Sequence, residues 1–227
     1  MDRVAAVLFD LDGTLLDRRA TFRHHLELQI ARYPRLFGGG NAERYVSELL
    51  ALDENGTLDR NDFYSSVEQR FGLAPGAAVL LRSDFKSHFP ELCVPFRDVV
   101  ATLVDLKARG LKLGVVTNGS VRTQTRKIDG LGIGPYLDCI VISEGVGCHK
   151  PDRRIFEIAL AQLCTAAFET VFVGDNPPVD VTGAKNAGLR AVWKRDDFWP
   201  EPRDADLVIE EVCSLPAQLD RIRPGAG

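Results

Sequence analysis

The sequence predicts an α/β protein: a doubly wound parallel sheet with an all-helical insert after its first strand. Three observations carry this. Short, nearly continuous apolar runs recur along the chain, the pattern of strands covered on both faces. Helical stretches separate them, which implies right-handed crossovers between parallel strands. From residue 18 to about 90 the alternation stops and no good strand is found.

The first strand is expected at 4–9 (VAAVLF), ending at Asp10. The insert follows as helices near 20–33, 42–52, 60–71 and 77–89. Its punctuation is Gly38-Gly39-Gly40, Asp53-Glu54-Asn55-Gly56 and Pro75-Gly76. A helix over 98–109 has Val99, Leu103 and Leu106 on one face and stops at Gly110. Strand two is expected at 113–116, ending at Thr117-Asn118, and strand three at 140–142. The helix over 153–163 carries Phe156, Ala159, Leu160 and Leu163 at i, i+3, i+4 and i+7. Strand four, at 171–173, ends at Gly174-Asp175. A helix over 180–187 stops at Gly188, and strands at 191–193 and 207–209 complete the sheet. The expected division is a core of 1–17 and 91–227 and an insert of 18–90. Residues 223–227 read as a frayed tail.

The 227 residues are 45% apolar, with 28 Lys+Arg against 32 Asp+Glu, a net charge of −4. That suits one large domain with an insert and argues against disorder or the coating of a nucleic-acid polymer. No apolar run approaches the roughly 18–20 residues of a membrane span. The N-terminal run meets Asp10 too soon for a secretory signal, so the cytoplasm is the expected compartment. Cys93, Cys139, Cys148, Cys164 and Cys213 form no CxxC pair, which excludes a zinc knuckle and suits reduced thiols.

In an open parallel sheet, ligands bind outside the carboxyl ends of the strands. Strand one delivers Asp10 and Asp12 there, and strand two delivers Thr117, Asn118, Gly119 and Ser120. Lys150 follows strand three, and strand four delivers Asp175 and then Asp180. Clustered carboxylates repel one another and call for a cation. Oxygen ligands without His or Cys favour a hard ion, Mg²⁺ first. A lysine with hydroxyl and amide donors suits phosphate charge. The set fits metal-assisted phosphoryl transfer.

Asp10-Leu11-Asp12-Gly13-Thr14-Leu15-Leu16-Asp17 resembles the DxDGT(L/V)xD signature of the haloacid-dehalogenase-like hydrolase superfamily. Val116-Thr117-Asn118-Gly119 looks like its second motif, and His149-Lys150-Pro151-Asp152 its third. Gly174-Asp175-Asn176-Pro177-Pro178-Val179-Asp180 resembles its fourth, in family order. The resemblance covers 1–17 and about 93–210, and the insert sits where capped members carry a helical cap.

The resemblance implies roles. Asp10 would be the nucleophile that becomes an aspartyl-phosphate, and Asp12 the general acid and base. Thr117 and the amides of Asn118 and Gly119 would hold phosphoryl oxygens, and Lys150 would neutralise charge. Asp10, Asp12 through its carbonyl, and Asp175 would hold Mg²⁺, with Asp180 behind them. Asp12 points away from dehalogenation, because dehalogenating members lack an acid there. The implied function is Mg²⁺-dependent hydrolysis of a small phosphate ester, such as a nucleotide, sugar phosphate or phosphoglycolate-like molecule. A phosphosugar mutase and a non-catalytic regulatory member are the alternatives. Cap motion would admit substrate and exclude water.

Some features have plainer readings. Asp180 could cap the helix after it. The run from Asp53 to Asp59 resembles part of a calcium loop, but Ala51 and Asp62 stand at its first and twelfth positions, so a helix–helix turn is expected. The Gly130-Leu131-Gly132-Ile133-Gly134 run follows a helical segment and is no dinucleotide fingerprint. His24 and His25 are expected in a solvated first turn, and Trp193 and Trp199 in packing.

Overall fold

The computed structural model describes residues 4–37 and 42–222. The Gly38-Gly39-Gly40 break and the 223–227 tail lie outside the described residues. The chain divides into two compact units, Met1–Asp17 with Pro95–Gly227, and Arg18–Val94.

The first unit is built on six parallel strands: β1 (Ala6–Phe9), β2 (Lys112–Thr117), β3 (Cys139–Ile142), β4 (Thr170–Gly174), β5 (Arg190–Lys194) and β6 (Leu207–Ile209). Their order is β3-β2-β1-β4-β5-β6. The strand order reverses around β1, which pairs with β2 through Phe9↔Val115 and with β4 through Phe9↔Val173. The carboxyl ends of β1, β2 and β4 therefore lie side by side at the switch point where doubly wound sheets bind ligands.

Every residue of β1 and β4 is buried, so the sheet is covered on both faces. On one face, Ile155, Phe156, Ala159, Leu160 and Leu163 pack with Ala6, Leu8, Val116, Val141 and Phe172. These come from a helix, Arg153–Leu163, whose apolar stripe is the one read from its spacing, and Cys148 joins the same cluster. Asp152 caps this helix, accepting the Arg154 N–H at 2.9 Å. The helices Val99–Ala108 and Val121–Leu131 complete the crossovers around β2.

The helix expected at 180–187 takes another form. Its first turn, Pro177–Val181, is π-helical, and only Thr182–Asn186 is α-helical. Two prolines at the start withhold N–H donors and crowd a regular α-turn. Asn176, not Asp180, caps it: Asn176 Oδ1 accepts the Val179 N–H at 3.3 Å.

The second unit contains helices at Arg18–Arg32, Ala42–Leu52, Arg60–Arg70 and Ala77–His88. Their core includes Phe22, Leu26, Val46, Leu49, Phe63, Tyr64, Val67, Leu81 and Phe89. The unit runs four residues past the expected boundary at 90, because Phe89 and Pro90 are buried and the Val94 N–H donates to Thr21 Oγ1 at 3.1 Å.

The Asp53–Asp59 run is a turn, as expected, and its first acid has a structural use. Asp53 is buried and accepts from the guanidinium groups of Arg18 and Arg60. Gly56 has φ of 84° and Arg18 lies where its Cβ would stand, so glycine is required for the Arg18–Asp53 pair. His25 departs from the solvated turn expected for it. It is fully buried, edge-on to Phe85 and Phe89, while His24 is exposed beside Glu27. Among the described residues no helix is long and apolar enough to cross a membrane.

Candidate active site

Asp10 is the first residue past β1, and its N–H donates to the Val173 carbonyl on β4 at 2.9 Å. That bond fixes the chain as it leaves the sheet and leaves the carboxylate at the switch point. The chain then turns tightly. The Leu11 carbonyl accepts from the Leu15 and Leu16 amides at 3.0 and 2.9 Å. Gly13 is required in this turn: its φ is +87°, and a Cβ would stand 2.4 Å from Asp175 Oδ2.

The Lys150 ammonium is buried between two carboxylates. Nζ donates to Asp10 Oδ1 at 2.6 Å and to Asp180 Oδ1 at 2.7 Å. Asp180 reaches this position through the π-helical turn, and its Oδ2 accepts the Asn176 N–H at 3.0 Å. Gly174 makes room, since a Cβ there would stand 2.4 Å from the Asp180 carboxylate. Asp175, at the end of β4, accepts from Thr14 Oγ1 at 3.4 Å, and its carbonyl accepts from Trp193 Nε1 at 2.8 Å. Trp193 is thus a packing residue that also anchors the Asp175 main chain.

Asp10, Asp175 and Asp180 each offer a carboxylate oxygen within 4.8 Å of the others. Burial pushes the Asp10 carboxyl up to about 7, with Lys150 pulling it down and Asp180 pushing it further up. Burial, then Asp10 and Asp180, hold Asp175 well above the usual carboxylate range. For Lys150, burial alone would favour the neutral amine; Asp10 and Asp180 outweigh it and hold the ammonium charged. Three carboxylates around one hydrogen-bonded ammonium leave an excess of negative charge. The oxygen-only set and this excess fit a hard divalent cation such as Mg²⁺.

The side chain of Asp12 is not part of this cluster. Its carboxylate is turned to the Val121–Leu131 helix, where Lys127 Nζ donates to both oxygens at 2.8 and 2.7 Å. Gln124 Nε2 donates to Asp12 Oδ2 at 3.0 Å and to Thr117 Oγ1 at 2.7 Å. Asp180 is thus the third carboxylate of the cluster, whereas Asp12 was expected to contribute its main-chain carbonyl and not its side chain. The Asp12 carboxylate is neutralised by Lys127, and that of Asp180 by Lys150.

The second motif differs in its details from expectation. Thr117 is buried at the end of β2. The Asn118 side chain faces the Lys150 backbone, donating to its carbonyl at 3.0 Å and accepting from its N–H at 2.9 Å. The Gly119 N–H donates to Ser143 Oγ at 3.0 Å. Gln124, Lys127, Ser143 and Trp193 were not singled out from the sequence as site residues. A signal existed for two of them: Gln124 and Lys127 fall four residues before Ile128 and Leu131, on the face that the helix buries.

The sequence pattern of a family described as haloacid dehalogenase-like hydrolase matches residues 7–194. A phosphoserine phosphatase from Thermus thermophilus is 36% identical over 143 residues, which are 63% of this chain and 57% of that protein. A glyceraldehyde 3-phosphate phosphatase from Methanopyrus kandleri is 31% identical over 231 residues, 95% of each chain. Among solved structures, the HAD-hydrolase YfnB from Bacillus subtilis, bound to magnesium, has a similar fold. Its TM-score is 0.74 at 23% identity, covering 96% of this chain and 99% of that one.

Proposed function

The chain belongs to the haloacid dehalogenase-like hydrolase family, with phosphatases among its relatives, and on that premise we propose that it hydrolyses a small phosphomonoester with the help of Mg²⁺. The observation that carries this reading is the Lys150 ammonium held between Asp10 and Asp180, with Asp175 completing a buried acidic group. A nucleophilic carboxylate cannot approach a phosphate dianion without compensating positive charge. Asp10, Asp175 and the main chain at Asp12 would hold the cation, which supplies that charge. Asp180 would orient the Lys150 ammonium.

In the first step an Asp10 carboxylate oxygen bonds to phosphorus and the bond to the leaving oxygen breaks. Asp12 gives that oxygen its proton, and the phosphoryl group rests on Asp10. In the second step Asp12 takes a proton from water, whose oxygen displaces the Asp10 oxygen from phosphorus. Inorganic phosphate leaves and Asp10 is restored. Thr117 and Lys150 hold the phosphoryl oxygens through both steps.

The substrate class is a small phosphorylated metabolite, as the names of the two phosphatase relatives suggest for those proteins. The cytoplasm suits all five cysteines, which are free thiols. The test is phosphate release from a panel of nucleoside monophosphates, sugar phosphates, phosphoserine and phosphoglycolate with Mg²⁺, beside Asp10→Asn. One preferred ester, silent in the variant, supports the proposal. Turnover that survives Asp10→Asn would overturn the covalent route.

A further inference from the structure

Two polar side chains stand where an apolar pair would be expected. Gln124 and Lys127 lie three residues apart on the buried face of the Val121–Leu131 helix, beside Ile128 and Leu131. Gln124 is 2% exposed and Lys127 6%. Burying an amide and an ammonium opposes folding unless both are well partnered. Both converge on the Asp12 carboxylate, more than 110 residues earlier in the chain.

The chemistry of the partners orients the Gln124 amide. A carboxylate accepts only, so the nitrogen and not the oxygen of the amide faces Asp12. The same Nε2 is 2.7 Å from Thr117 Oγ1 and can only donate to it. The Thr117 hydroxyl is therefore an acceptor toward Gln124, and its own hydrogen points away from Gln124 to the Asn118 carbonyl at 3.4 Å, a long bond that a phosphoryl oxygen would replace. One amide thus couples the residue read as acid and base to the hydroxyl read as a phosphoryl ligand. The backbone makes room for this: Gly119 has φ of +141°, and a Cβ there would crowd Gln124 Cγ at 3.0 Å.

We infer that Gln124 and Lys127 are positioning residues: Lys127 holds the Asp12 carboxylate by both oxygens, and Gln124 ties it to Thr117, so that acid and base catalysis depends on the Val121–Leu131 helix. The inference deepens the proposed function and rests on its reading of Asp12. The nucleophile's own hydrogen-bond partner is Lys150, which is held in turn by Asp180, and replacing Gln124 or Lys127 leaves both of these residues in place.

Leaving-group dependence tests it. An aryl phosphate with a p-nitrophenolate leaving group departs with little need of a proton, whereas an alkyl phosphate needs one. kcat/KM reports the step in which the leaving group departs. Lys127→Met and Gln124→Leu are expected to lower kcat/KM for the alkyl ester by about tenfold more than for the aryl ester, a fraction of what a positioned acid can contribute. Lys127→Arg, which keeps two donors on Asp12, is expected to recover most of the alkyl activity. Equal losses on both esters, or no loss in either variant, would overturn the inference, because a merely structural role lowers both alike. Asp12→Asn is run beside them. If Asp12→Asn spares the alkyl ester, the reading of Asp12 falls. If it abolishes turnover while Lys127→Met and Gln124→Leu show no selective loss, only the positioning role falls.

Discussion

Asn118 and Lys150 are joined by a pair of hydrogen bonds between a side chain and a main chain. Asn118 Nδ2 donates to the Lys150 carbonyl at 3.0 Å, and the Lys150 N–H donates to Asn118 Oδ1 at 2.9 Å. The amide pins the loop carrying Lys150 to the end of β2, while the Lys150 ammonium is directed at Asp10 and Asp180.

Asn118→Ala removes both bonds and leaves every charged group intact. It is expected to lower kcat by roughly tenfold to a hundredfold, the scale of loss that follows a displacement near 1 Å in a reacting group. Steady-state phosphate release checks this. Full activity in the variant would mean that Lys150 is held by its carboxylates alone.

Gly13→Ala is expected to weaken the cation site. The left-handed φ costs an alanine about 1–2 kcal/mol, and the new methyl group would have to displace Asp175. The Mg²⁺ concentration for half-maximal activity should rise, with a smaller change in thermal stability. An unchanged Mg²⁺ requirement would argue that Asp175 is not a ligand.

Mg²⁺ is expected to raise the unfolding temperature more at pH 8 than at pH 6. Asp10 is raised to about 7 without metal, so its protonated form is favoured in the fold. That contribution to stability is complete below about 4 and is lost as pH rises through about 7. A cation needs the carboxylate ionised and so compensates most at the higher pH. EDTA should reverse the shift and stop turnover. An equal shift at both pH values would count against the acidic cluster as its site.

His25→Leu is expected to relieve acid sensitivity in the helical unit. Burial lowers the His25 pKa to about 4, against the pull of Asp84. A depressed histidine contributes stability that is complete above about 6.5 and is lost as pH falls through about 4. Both ring nitrogens lack a hydrogen-bond partner, so leucine should be tolerated at neutral pH. At pH 4.5 the variant should gain on the order of 2 kcal/mol relative to wild type. Thermal unfolding of both proteins at pH 7.5 and 4.5 measures it. A stability difference independent of pH would place the acid-sensitive group elsewhere.

The strands were legible because both faces of a covered parallel sheet demand apolar residues, which leaves runs such as VAAVLF, whose last four residues form β1. The helix Arg153–Leu163 was legible because its stripe repeats at helical spacing. The π-helical turn at Pro177–Val181 was not expected, the helix having been placed at 180–187, since periodicity does not register where prolines shift the hydrogen-bond pattern. His25 was misread because adjacent Arg and His residues look solvated, whereas a helix turns consecutive residues about 100° apart and buries one of them.

The sequence by itself determined the α/β architecture, the helical insert and the residue types at the carboxyl ends of β1, β2 and β4. These follow from local rules: pattern period, turn residues and the order of motifs. Only the tertiary structure decided which charged groups meet. Asp180 joins Lys150 across a π-helical turn, Asp12 turns to Lys127, and Asn118 holds the Lys150 backbone rather than standing free. Such pairings join residues 30 to 115 positions apart. They are selected by the need to neutralise and hydrogen-bond each buried charge, a condition on the folded interior that no local pattern records.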